Sequence, residues 1–284
     1  MQKRKASETA RLTTLMRAAH QILDADPKIL FDPVAVGLVP GSSEPEIRER
    51  EEVFQQPRRR WTRSQIVLRS RFAEDQLCEA VQDGVRQYIL LGAGFDTFAY
   101  RQPAWASELS IVEADHPASQ ESKQECLSKA GLRPPNNVSF CPIDFEHTSL
   151  AEGLVLSAFD PQAPAFVSWL GVTAYLTRFA IEKTLQFVLS LPSRSRLVFT
   201  FMLPISSLHG LDREAMELST AIAAERGEPF ISCFETDEMC EWLYGLSFSR
   251  VFHLSPEQAQ ERYFADRTDG LFAPSGAQIM CAHV

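Results

Sequence analysis

The stretch YILLGAGFDT, Tyr88 to Thr97, decides the fold. Tyr88, Ile89, Leu90 and Leu91 form a short apolar run of the kind that suits a strand buried on both faces of a parallel sheet. Gly92, Ala93 and Gly94 follow at once, and glycine lacks the Cβ that would bar a tight turn or the close approach of a ligand to the backbone. Outward from this turn the pattern repeats. LSIVEAD (109–115), VSFCPIDF (138–145), PAFVSWLGV (164–172) and RLVFTFML (196–203) are further apolar runs, with helical segments between several of them. FSRVFHL (248–254) and GAQIMCAHV (276–284) read as two late strands.

The helices are legible from their periodicity. Phe72, Gln76, Leu77, Ala80 and Val81 share one helical face, and Gly84 stops that helix. In TRFAIEKTLQFVLSLP, Ile181, Leu185, Val188 and Leu189 recur at helical spacing until Pro192 closes the segment. From residue 8 to Pro40 the chain reads as helix, then the loop-like DADPKILFDP (24–33), then a short segment ending at Pro40. The fold class is therefore α/β: doubly wound, Rossmann-like, with a mostly parallel seven-stranded sheet, a helical N-terminal cap and a helical insertion before the last strands. A single domain is expected over 1–284, divided into a cap and lid (1–84), a cofactor-binding core (85–204), a helical insertion (205–245) and the final strands (246–284).

Composition narrows the function. A chain of 284 residues, 45% hydrophobic and 23% charged, has ample apolar surface for a core, and its formal net charge of -9 opposes binding to nucleic acid. No stretch approaches the roughly 20 apolar residues that span a bilayer, and the basic amino terminus lacks an apolar signal region, so a cytoplasmic protein without membrane contact is expected. The six cysteines and six histidines form no zinc-like cluster, and no metal site is expected.

Ligands of such sheets bind beyond the carboxyl ends of the strands. There stand Gly92 and Gly94 after the first strand, Glu113 and Asp115 after the second, and Asp144 and Phe145 after the third. A carboxylate a little over 20 residues beyond the first glycine can accept both hydroxyls of a ribose. Asp144 can accept an adenine amino group while the next backbone N–H meets a ring nitrogen. The third glycine of a dinucleotide fingerprint is replaced by Thr97, and Asp96 stands at the mouth of the helix expected after the turn. A pyrophosphate would meet a like charge there, so S-adenosyl-L-methionine, cationic and phosphate-free at that end, is the expected cofactor rather than NAD.

Taken together, RAAH with FDPVA, LRSRFAEDQL, YILLGAGFDTFAYR, VEADHP, IDF, WLGVTAYLT and RTDGL resemble the leucine carboxyl methyltransferase-like group of class I S-adenosylmethionine-dependent methyltransferases, its polyketide O-methyltransferase-like branch included. The resemblance runs from about Arg11 to the carboxyl terminus. It implies that Arg69 clasps the cofactor carboxylate, that Gly92 lies under the cofactor, that Asp115 holds the ribose and that Asp144 and Phe145 frame the adenine. One departure is Leu170, where many members carry a glutamate that touches the cofactor; either Trp169 and the neighbouring backbone take over that contact, which is the expectation, or this branch holds the methionine moiety differently.

The expected activity is O-methyl transfer to a small-molecule carboxylate or hydroxyl, with no residue singled out as a catalytic base. Trp169, Tyr175, His209 and Tyr263 are candidates for the acceptor side. The run Arg58, Arg59, Arg60 and Arg63 reads as a solvated helix face or as a binder of anions. Two alternatives stand beside this reading: a noncatalytic S-adenosylmethionine-binding module, to which Leu170 lends weight, and a nicotinamide-dependent oxidoreductase. The oligomeric state is not legible.

Overall fold

The computed structural model describes residues 8–144, 148, 150–155 and 157–284. In chain order the helices are α1 (Glu8–Leu23), α2 (Glu44–Glu49), α3 (Glu51–Phe54), α4 (Pro57–Gln82), α5 (Pro117–Lys129), α6 (Leu150–Leu154), α7 (Arg178–Leu189), α8 (Gly210–Glu225), α9 (Thr236–Gly245) and α10 (Pro256–Ala259). The strands are β1 (Gln87–Leu91), β2 (Ser110–Asp115), β3 (Val138–Pro142), β4 (Ala165–Trp169), β5 (Arg196–Met202), β6 (Arg250–Leu254) and β7 (Ala277–His283). Each expected strand forms. They join in one seven-stranded sheet of order β3-β2-β1-β4-β5-β7-β6, in which β7 runs antiparallel to both neighbours and the other pairings are parallel.

Alternation along β1 splits the core into two layers. Tyr88 and Leu90 pack with Phe166, Val198 and the α4 residues Val67, Phe72, Leu77 and Ala80. Ile89 and Leu91 point the other way, into a layer with Trp169, Phe199, Phe201 and the α7 residues Ile181, Leu185 and Val188. All five residues of β1 are buried, as a central strand covered on both faces must be.

One expectation changes here. The first helix ends at Leu23, just before DADPKILFDP as expected; Asp24 enters a buried ion pair, and Asp32 caps the short turn Pro33–Ala35. No α-helix follows β1, however: its crossover to β2 is made by two 3-10 turns, Phe98–Tyr100 and Ala104–Ala106. The face such a helix would cover is already occupied by α4, which precedes β1 and, at 26 residues, is about 39 Å long.

Helix α4 lies between the sheet and α1. Its outer side meets the cluster of Met16, Ala18, Ala19, Ile47, Phe54 and Ile66. Within that layer Arg63, read from sequence as part of a solvated or anion-binding run, is fully buried and holds Asp24 through Nε at 2.6 Å and Nη2 at 2.7 Å. Asp24 also accepts from His20 Nδ1 at 2.8 Å, while His20 Nε2 accepts the Ile29 N–H at 3.1 Å. That geometry needs a neutral imidazole, and burial lowers the His20 pKa accordingly.

Candidate active site

The order reversal between β2 and β4 places the carboxyl end of β1 at the switch point, where open α/β sheets bind their ligands. The turn there needs its glycines. Gly92 has φ +65°, and a Cβ on it would stand 2.5 Å from Val172 Cγ2; Gly94 has φ +50° and Ala10 of α1 close above it, 3.2 Å from such a Cβ. Val172 thus reaches Gly92 from the loop after β4, and α1 packs on the turn at Gly94.

Asp115, at the end of β2, is held by the backbone. One carboxylate oxygen accepts the Gly94 N–H and the other accepts the His116 N–H at 2.6 Å. Each oxygen keeps a second lone pair, the arrangement that serves two vicinal hydroxyls. Burial raises the Asp115 pKa, and the two N–H donors and Lys123 pull against that rise. Ile143 donates its N–H to Asp115 O at 2.9 Å, which brings half-buried Asp144 beside the same strand end. Phe145 lies outside the described residues.

Glu113 is not at this position. It is buried, and its Oε2 pairs with Lys123 Nζ at 2.5 Å, with Lys123 5.7 Å from the Tyr100 ring centroid. The two-residue repeat of a strand brings it to the same side as Asp115, but α5 claims it before any ligand can.

Across the turn, the guanidinium of Arg69 on α4 lies against the backbone of Gly171, whose φ is +72° and on which a Cβ would overlap it. Arg69 makes no ion pair or hydrogen bond among the described residues. Burial, with a contribution from Arg17, brings its pKa down from 12.5 to about 10. A partly buried arginine without an acid is costly to keep, and here it faces the strand end next to the glycine turn. Tyr175 is close enough to feel its charge; burial raises the phenol pKa, so Tyr175 stands as a hydrogen-bond donor at neutral pH.

A buried charge network fixes the turn. Arg17 of α1 donates to Phe95 O at 2.5 Å and pairs with Asp96 at 3.3 Å and Asp32 at 3.4 Å. Arg101 pairs with Asp32 at 3.3 Å and with Glu74 of α4 at 2.5 Å. Burial pushes Asp96 up, but Arg17, Arg101 and Lys123 outweigh it and hold the carboxyl below its ordinary range. Asp96 also accepts the Phe98 N–H at 2.8 Å, so its work is to shape the turn rather than to guard a helix mouth. The motifs RAAH, FDP and FAYR carry these residues, but nothing in one sequence says that they meet.

The acceptor-side candidates separate. Tyr175 stands by Arg69; His209 is exposed; Tyr263 donates to Asp75 at 2.8 Å on the outer part of α4. Trp169 is buried with Nε1 unpartnered, in the core layer opposite to the one Leu170 joins. The Gly171 N–H is donated to Thr200 Oγ1 at 2.7 Å. Trp169 therefore does not share the layer of Leu170, and the Gly171 N–H is already engaged.

The fold is shared with known structures. A DUF574 family protein from Streptomyces avermitilis MA-4680 superposes with a TM-score of 0.57 at 13% identity, covering 98% of this chain and 97% of that one. In sequence, YktD of Bacillus subtilis (strain 168), assigned by name to the S-adenosyl-L-methionine-dependent methyltransferases, is 29% identical over 294 residues, 96% of each chain. A Mycobacterium tuberculosis (strain H37Rv) relative assigned by name to the same class, Rv3399, is 28% identical over 171 residues, 60% of this chain and 49% of its own length. The sequence profile of leucine carboxyl methyltransferase matches residues 10–189, a span that holds the glycine turn, Arg69, Asp115 and the whole buried charge network. The chain belongs to the leucine carboxyl methyltransferase family.

Proposed function

We propose that this protein transfers a methyl group from S-adenosyl-L-methionine to a carboxylate or hydroxyl oxygen of a small molecule. The coarser part of this reading follows from the family and the relatives: the chain is an S-adenosylmethionine-dependent methyltransferase. The observation that carries the site is the unpaired guanidinium of Arg69 facing the strand end across from Asp115, because the cofactor's methionine carboxylate and ribose hydroxyls want those two partners. Arg69 would hold the carboxylate, Asp115 the ribose, Asp144 and Phe145 the adenine, and Gly92 and Gly94 the close backbone approach.

When bound, the cofactor supplies an electrophilic methyl on a positively charged sulfur. The protein's part is to orient the acceptor, exclude water and hold protons in place. A carboxylate acceptor, with a reference pKa of ~4, is ionised at neutral pH and needs no base. Tyr175, a phenol that is protonated at neutral pH and whose pKa burial raises further, would donate to an acceptor oxygen rather than deprotonate it. This favours acceptors that arrive already anionic.

Calorimetric titration with S-adenosylmethionine and S-adenosylhomocysteine tests the reading. Binding in the micromolar range that is lost in Asp115→Ala supports it; a folded protein that binds neither compound overturns it. Methyl incorporation into a panel of carboxylates and phenols then separates the two acceptor classes.

A further inference from the structure

Among the described residues the glutamines Gln65, Gln87, Gln120 and Gln278 are buried, and the last three are answered. Gln87 donates to Asp160 O and Ala163 O at 2.9 and 3.0 Å, Gln120 to Glu113 O and Cys141 O at 2.8 and 3.0 Å, and Gln278 to Ser275 O at 2.6 Å. Gln65 on α4 is the exception. It is 7% exposed, and its amide makes no hydrogen bond among the described residues. An amide brings an NH2 donor and a carbonyl acceptor, and leaving them unmet in the interior costs free energy that a ligand can recover.

Its neighbours on the helix say where it lies. Residues four apart stack on one helical face, so Gln65 stands between Trp61 and Arg69, about 6 Å along the axis from each. Leu68 and Phe72 turn to the sheet on one flank, and Ile66 turns to α1 on the other. At one end of the face Trp61, its Nε1 held by Asp212 at 2.6 Å, packs with Met216, Met202, Leu203 and Phe230. At the other end the Arg69 guanidinium lies against the Gly171 backbone. The two ends meet again across from the helix. Gly171 opens the loop that leads to Tyr175, whose ring packs edge-on against Phe230 at 5.2 Å, and the Ile231 and Ser232 N–H groups fix that wall by donating to Ala174 O at 2.7 and 3.2 Å. Gln65 is thus ringed by α4, the loop after β4 and the end of β5, with an apolar cluster on one side and the arginine proposed to hold the cofactor on the other.

We propose that Gln65 selects the methyl acceptor: its NH2 donates to an acceptor oxygen, carboxylate or hydroxyl, while the acceptor's apolar body packs among Trp61, Met202 and Phe230. This rests on the methyltransferase reading and names its substrate class, a compound with an aromatic or aliphatic body that carries such an oxygen. Small-molecule sites commonly pair an apolar wall with a few placed polar groups. A compound of the same shape without the oxygen leaves the amide unmet, which is how a buried polar group discriminates.

The test compares the full-length wild type with Gln65→Leu, which keeps the bulk and removes the amide, Gln65→Glu, and Gln186→Leu on the exposed side of α7 as control. Thermal melts of the free proteins come first. Gln65→Leu should melt roughly 2–4 °C above the wild type, because an unmet amide has gone. Each protein is then saturated with S-adenosylhomocysteine and titrated calorimetrically with 3-phenylpropionate and with 4-ethylphenol. The expected result is saturable binding of one probe or both to the wild type, weakened about tenfold in Gln65→Leu and unchanged in Gln186→Leu, with equal S-adenosylhomocysteine affinity throughout. Gln65→Glu separates the two oxygens: it repels the carboxylate and can still accept from the phenol. The proposal is overturned if neither probe binds the loaded wild type, if binding survives in Gln65→Leu, if that variant melts lower, or if it loses S-adenosylhomocysteine, which would make the amide a cofactor contact. Failure of the wild type to bind S-adenosylhomocysteine counts against the methyltransferase reading instead, and the melts with the same titrations on the free protein then decide Gln65 by the same criteria.

Discussion

Replacing Arg69 with methionine should make the free protein more stable and its cofactor binding weaker, two effects of opposite sign from one side chain. The guanidinium makes no ion pair among the described residues, the more distant charge of Asp96 only partly offsets its burial, and its pKa falls from 12.5 to about 10. At 1.36 kcal/mol per pKa unit that fall corresponds to about 3 kcal/mol of unfavourable interaction for the charged form. Methionine keeps an unbranched apolar stem over Gly171 and removes the charge, so the free protein gains up to that amount. A gain of about 1 kcal/mol raises Tm by roughly 2 °C in a chain of this size. The cofactor carboxylate meanwhile loses a charge-assisted hydrogen bond worth about 1.5–3 kcal/mol, a roughly tenfold to hundredfold loss of affinity. Thermal melts followed by circular dichroism, with and without S-adenosylhomocysteine, read both effects in one experiment. The wild type should gain far more from the ligand than the variant. A lower Tm in the free variant with unchanged affinity would refute the reasoning, since it would mean that Arg69 holds the fold together rather than waits for a ligand.

Other substitutions separate structure from site. Arg63→Met leaves Asp24 ionised in the core without its guanidinium and should cost about 3–5 kcal/mol, read as a lower denaturation midpoint in urea, while an unchanged midpoint would show that the pair is dispensable. Asp115→Asn should weaken S-adenosylhomocysteine binding by about tenfold or more, measured by titration, and lower Tm, because its NH2 cannot accept one of the Gly94 and His116 N–H groups. Gly92→Val should lose about 2–5 kcal/mol of stability because φ +65° and the 2.5 Å approach to Val172 leave no room for its Cβ, so its failure to bind would report folding as much as ligand contact. On acidification, His20 is neutral in the fold with a lowered pKa and protonates in the unfolded chain below its ordinary value of 6.5. Unfolding then takes up a proton, so stability should fall with pH from about 6.5 downward, by at most about 1.4 kcal/mol per unit, until the folded state protonates too. His20→Gln should flatten that slope in pH-resolved melts; an unaltered slope would assign the acid sensitivity elsewhere.

The buried charges divide by what they do. Arg63 with Asp24 and His20 is a closed set in which each partner answers another, and it joins α4 to the end of α1. Arg17, Asp32, Asp96, Arg101 and Glu74 form a second set that joins α1 and α4 to the glycine turn. Such pairs contribute little net stability against apolar residues of the same size, but leaving any one unpaired is costly, and so they fix the arrangement of the turn. Arg69 belongs to neither set, and this supports the proposal that it meets a ligand.

The strands and their class were legible because a buried parallel strand must be apolar at nearly every position, a demand that local sequence meets by itself, as in Tyr88–Leu91 and, with Ser168 as the exception, Ala165–Trp169. The glycine turn was legible for a similar reason, since positive φ and close approach leave few residues to choose from. The charges were not. Arg59 and Arg63 sit four apart in one run, RRRWTR, and a helix puts them on one side of α4; yet Arg63 is sealed against Asp24 while Arg59 finds no acid. Glu113 and Asp115 sit two apart on one strand; yet one is taken by Lys123 and the other is held open by the Gly94 and His116 N–H groups. Backbone conformation is set by neighbours along the chain, whereas the state of a charge is set by whichever partner packing brings to it. For Arg63 that partner lies 39 residues away. Only the assembled layers of α1, α4 and the sheet decide which charges are answered and which remain for a ligand.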